Sequence, residues 1–61
     1  MSLHTKIVEI YTTTEGKQYQ LKFNRVTLRY HINIDGLVIE THHKREIKRV
    51  INNYLDIESV L

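Results

Sequence analysis

Residues 6–41 alternate between apolar and polar side chains with a period of two. Val8, Ile10 and Thr12 interleave with Glu9 and Tyr11, and Tyr19, Leu21 and Phe23 with Gln18, Gln20 and Lys22. Val26, Leu28, Tyr30, Ile32 and Ile34 then interleave with Thr27, Arg29, His31 and Asn33, and the run LVIET follows. A strand sends successive side chains to opposite faces, so each run predicts a half-buried strand, at about residues 6–13, 18–24, 26–34 and 37–41.

The connections test this reading through parity. Asp35-Gly36 is a strong signal for a two-residue hairpin turn, because both central positions need positive φ. With that loop Ile34 faces Leu37, Ile32 faces Ile39 and Tyr30 faces Thr41, all on the apolar face. Glu15-Gly16 as a second such loop sets Thr12 against Tyr19, Ile10 against Leu21 and Val8 against Phe23, with Glu9 meeting Lys22 on the other side. A three-residue loop would put Glu9 opposite Leu21, so parity favours the even loop. Asn24-Arg25 as the third turn sets Phe23 against Val26 and Leu21 against Leu28. Together the registers predict an antiparallel meander in the order 1-2-3-4 with one dry face.

From His43 the period changes. Ile47, Val50, Ile51 and Tyr54 recur at three and four residues, with Leu55, Ile57 and Leu61 at the margins of the stripe, which predicts a helix over about residues 43–57. Thr41 or His43 is the expected N-cap, with Glu46 as a partial capping box. The stripe needs cover, and the dry face of the meander supplies it. The expected fold is therefore α+β: a four-stranded antiparallel meander with one C-terminal helix packed on one face (ββββα), in a single domain spanning residues 1–61.

Size changes the picture next. A chain of 61 residues buries only about 60% of the surface its unfolded form exposes, so it needs reinforcement. Without cysteine it has neither disulfides nor a cysteine-ligated zinc site, which leaves a partner subunit or very regular packing. No apolar run approaches the ~18 residues of a membrane span. The opening MSLHTK has the features of neither a secretory signal nor a myristoylation motif. The expectation is a cytoplasmic protein with no membrane partner.

The charge is +2 with a pI near 9.1, a mild bias toward anionic partners, and its placement is unusual. THHKREIKRVINNY puts Lys44, Arg45, Lys48 and Arg49 at a helix start, where the partial charge is already positive, while Asp56 and Glu58 sit at the negative end. The two lysines, like the two arginines, are four residues apart and repel each other. A polyanion would relieve this, with the four cations and the helix-start N–H groups holding phosphates. So would a second helix lying antiparallel in a two-fold homodimer, which would also cover Leu55, Ile57, Val60 and Leu61. The plainest alternative is a solvated basic face kept for solubility.

On the sheet face turned from the helix the predicted register lines up Tyr11, Gln20, Arg29 and His42, with Lys22 in the next row. An aromatic among amides and cations suits single-stranded nucleic acid, although one wet face is ordinary for an antiparallel sheet. His31, Glu40 and His42 share that face and could approach a metal, but they read better as cross-strand polar pairs, and no metal or other cofactor is expected. No nucleophile is paired with a base, Ser2 and Ser59 lie at frayed ends, and both glycines are used in turns, so neither an enzyme nor a small-molecule substrate is expected. The expected function is that of a small nucleic-acid-binding regulatory or accessory module, a homodimer that holds phosphates at the helix start and favours single strands. The alternative is a protein-interaction module, a small inhibitor or adaptor of the kind found in mobile elements, binding a host protein through an edge strand and the apolar C-terminal tail.

Overall fold

The computed structural model describes residues 4–61. Its elements are β1 (Thr5–Thr13), β2 (Gln18–Asn24), β3 (Arg29–Ile34), β4 (Leu37–Thr41), α1 (Lys44–Tyr54) and β5 (Ile57–Val60). The first four strands form the expected antiparallel meander, and the helix lies over one face. The fifth strand was not expected; it returns to pair antiparallel with β1, so the sheet order is β4-β3-β2-β1-β5.

The β3–β4 hairpin follows the parity reading residue for residue, with Ile34 opposite Leu37, Ile32 opposite Ile39 and Tyr30 opposite Thr41. Asp35 and Gly36 both take positive φ (51° and 100°), as a two-residue turn of this kind requires. The Asn33 side chain accepts the Gly36 N–H at 2.8 Å and ties the turn down.

The β1–β2 hairpin departs from it. Thr13 and Lys17 close a three-residue loop, Thr14 to Gly16, through the Thr13 N–H to the Lys17 carbonyl (2.8 Å) and the Gly16 N–H to the Thr13 carbonyl (3.0 Å). Gly16 takes φ +90° as the last loop residue, a turn followed by one left-handed position. Tyr11 therefore faces Tyr19 and Glu9 faces Leu21, and a bulge at Val8 shifts the register again so that Ile7 faces Lys22. The physical gain is the burial of Tyr11, a larger apolar body than Ile10, and Tyr11 is only 3% exposed.

The β2–β3 connection is longer than the expected two-residue turn. The Asn24 carboxamide oxygen accepts the N–H groups of Val26 (2.8 Å) and Thr27 (3.2 Å), and the Leu28 N–H reaches the Asn24 carbonyl (2.8 Å). Val26 and Leu28 consequently leave the sheet and stand in solvent, not in the core, while Phe23 pairs with Tyr30. Their rings lie 4.8 Å apart at a 50° tilt. Loop parity is unchanged, so the dry face is kept.

The helix ends at Tyr54 instead of continuing to residue 57. Its last turn carries no basic residue, and Asp56 would be unfavourable at that negative end. By extending, the chain packs Leu55 and Ile57 against the core and satisfies backbone groups of β1 that would otherwise form an open edge. The Thr14 N–H bonds to the Asp56 carbonyl (2.9 Å), and Ile10 and Leu61 exchange backbone bonds at 2.9 Å in both directions. Leu21, Ile32, Ile47 and Ile51 are fully buried between sheet and helix, with Tyr11, Tyr19 and Ile34 around them. Ser2, read as lying at a frayed end, falls outside the described residues.

Leu28 holds φ 61° without being glycine, a conformation that costs a branched residue about 1 kcal/mol or more. Its side chain is largely exposed. Leu28→Asn is therefore expected to raise the urea-unfolding free energy by about 0.5 to 1 kcal/mol, because Asn tolerates the left-handed region. Gly36→Ala is expected to lower it by about 1 kcal/mol in the same assay.

Candidate nucleic-acid interface

The cations at the helix start are held by the sheet. The bulge and the odd loop turn Glu9 toward α1, where its carboxylate pairs with Lys44, lies 3.9 Å from Lys48 and accepts a hydrogen bond from the Tyr11 hydroxyl. The Glu9 side chain is 15% exposed. Burial alone would raise its pKa, but the Lys44 and Tyr11 hydrogen bonds and the charges of Lys44 and Lys48 outweigh it and hold the carboxyl below its usual range. Burial and the adjacent Glu9 carboxylate push the Tyr11 phenol upward, so it stays a donor.

The cap of α1 is built from both expected residues. His43 is the N-cap but makes no side-chain cap bond. The Thr41 hydroxyl instead accepts the His43 N–H (3.1 Å) and donates to the Glu46 carboxylate (3.0 Å). Glu46 is also the one acidic residue of the first turn, where it offsets part of the misplaced positive charge.

Lys44 and Lys48 are thus engaged from within, and Arg45 and Arg49 are not. Both arginines are exposed and have no ion-pair partner among the described residues. With Tyr30, His42, His43, Lys44 and the Glu46 carboxylate they line an open recess beside the helix start. Tyr30, read from its alternation as a core residue, packs against the core and also stands beside the basic groups. The signal was available in its place opposite Thr41, at the margin where the sheet ends and the helix begins.

The outer-face row expected from Tyr11, Gln20, Arg29 and His42 does not form. Tyr11 is buried under the helix, so it cannot stack on a base from the outer face. Gln20 lies opposite Ile10 and is exposed. Lys22 stands between Ile7 and His31. Arg29 lies 3.7 Å from Glu40 and donates from Nε to His42 Nε2 at 3.2 Å. His42 Nδ1 is 3.1 Å from the Leu28 carbonyl, which makes Nδ1 the protonated nitrogen when Nε2 accepts from Arg29. His31 sits across from Glu40. No group of three or more metal-ligating side chains occurs among the described residues.

The expected dimer residues are also redistributed. Leu55 and Ile57 are taken up by this chain's own core. Val60 and Leu61, half or more exposed, belong to the strand segment that pairs with β1 and do not form a free tail.

Chain direction sorts the charge. Lys6, Lys22, Arg25, Arg29, Lys44 and Arg45 crowd the end of the molecule where β1 begins, β2 ends and α1 starts, with His42 and His43 beside them and Glu40 and Glu46 as the carboxylates among them; Lys48 and Arg49 follow one turn in. The opposite end carries Glu15, Asp35, Asp56 and Glu58 with Lys17 as its one cation among the described residues, 3.5 Å from Asp35. Tyr19 donates to the same Asp35 carboxylate at 2.9 Å.

The Glu9 contacts set a pH dependence. A carboxyl whose folded pKa is lowered adds stability that is fully present above its unfolded value and is lost as pH falls through the folded one. Glu9→Gln is expected to cost about 1 to 2 kcal/mol at pH 7. That difference from the native protein should shrink steadily below about pH 4.5 in urea melts, as the native carboxyl also protonates. Among known proteins, no family model, no curated protein and no solved structure matches this chain.

Proposed function

We propose that this is a small nucleic-acid-binding module of regulatory or accessory type, which holds phosphates at its basic end and favours single strands. The observation that carries the reading is the pair of unpaired arginines, Arg45 and Arg49, beside Tyr30 and the two histidines of the helix entry. Arginine presents a planar donor fork suited to phosphate, and an aromatic edge beside it offers a base something to lie against. The basic end as a whole would steer a polyanion toward that recess. Lys22 and Arg29 on the outer face extend the positive surface; Lys44 and Lys48 take a secondary part, because Glu9 already engages them. Gln20 offers amide contacts to bases that reach the outer face.

Binding of a fluorescent oligothymidylate, followed by anisotropy across a salt series, tests this. The native protein should bind with a steep salt dependence. The Arg45→Glu, Arg49→Glu double variant should lose at least about tenfold in affinity, with the slope of log K against log salt shallower by about 1.4, since each single-strand phosphate contact contributes about 0.7. Undiminished binding by that variant would exclude the recess as the site.

A further inference from the structure

The sheet has two outer strands, and they differ. β5 is four residues long and its pairing with β1 is interrupted by a bulge. β4 runs for five residues, LVIET, in unbroken register with β3. It has no proline, lysine or bulge, the usual devices that keep an edge from pairing. Leu37 and Val38 on it are 51% and 62% exposed. In an antiparallel ladder alternate residues bond to the neighbour; with a two-residue turn closing the hairpin at Ile34 and Leu37, the N–H and C=O groups of Val38 and Glu40 point away from β3.

We propose that β4 pairs with β4 of a second copy of this chain, antiparallel about a two-fold axis through Ile39, to make one continuous sheet. Three features select this occupant. The strand is complementary to itself: Val38 and Glu40 of one copy meet Glu40 and Val38 of the other, so the outward backbone groups satisfy one another. The helix-side residues also match, Ile39 against its own copy and the exposed Leu37 against Thr41. The same register brings the Asp35-Gly36 turn of one copy level with the His42-His43 entry of the other, while the Asp35 carboxylate itself stays with Tyr19 and Lys17 of its own chain. An antiparallel pair thus sets the acidic end of each molecule against the basic end of its partner. The dimer rests on the edge geometry and not on nucleic-acid binding.

Sedimentation equilibrium of the native protein at tens to hundreds of micromolar should give twice the chain mass. Val38→Pro removes an outward N–H while leaving the β3 ladder bonds intact. It should sediment as a monomer with an unchanged far-ultraviolet circular dichroism spectrum. A native protein that stays monomeric, or a folded Val38→Pro variant that stays dimeric, overturns the proposal. If that variant does not fold, hydrogen exchange of the native protein decides. The Val38 and Glu40 amides should exchange at least tenfold more slowly at high than at low protein concentration, and equal rates overturn the pairing. Loss of oligonucleotide binding with the dimer intact would count against the proposed function alone.

Discussion

One layer of apolar side chains holds this molecule together, and it is thin. Ile47 and Ile51 of the helix lie on Leu21 and Ile32 of the two central meander strands, and these four are the fully buried side chains. Burying each of these aliphatic side chains stabilises the fold by about 1.5 to 3 kcal/mol. Every other feature is placed by the need to seal that layer. Tyr11 and Tyr19 close it with rings whose hydroxyls reach outward to Glu9 and Asp35, and Leu55 and Ile57 close it below the helix end.

The seal explains the charge pattern of the helix. An eleven-residue helix cannot cover a five-stranded sheet with its apolar stripe alone, so the residues flanking the stripe also face the sheet. On the β1 side these are Lys44 and Lys48, and the sheet answers with Glu9. On the other flank Glu46 meets Thr41 of β4, while Arg45 and Arg49 lie farther round the helix, exposed and unanswered by the sheet. The local repulsion among helix cations is therefore relieved on one flank by tertiary contact and carried on the solvent side as exposed positive charge.

How much of this was legible depended on how tightly each turn constrains the backbone. Asp35-Gly36 demands two successive left-handed residues, which admits one loop length, and every pairing beyond it follows. Glu15-Gly16 contains a single obligatory left-handed position, which fits loops of two or of three residues. That one residue decides whether Tyr11 or Ile10 points inward, and with Tyr11 goes Glu9. The helix cations could be read directly, but their carboxylate partner could not, because it is set by that register. Leu28 carries no mark of its left-handed backbone, and β5 is specified by an edge more than forty residues away in the chain.

That distance has a kinetic meaning. The three hairpins of the meander close short loops, and the helix docks onto the strand just before it. Joining Ile57–Val60 to β1, by contrast, closes nearly the whole chain and gains only a short, bulged ladder for the entropy lost. Loop-closure entropy therefore sets the C-terminal strand last in the order of assembly.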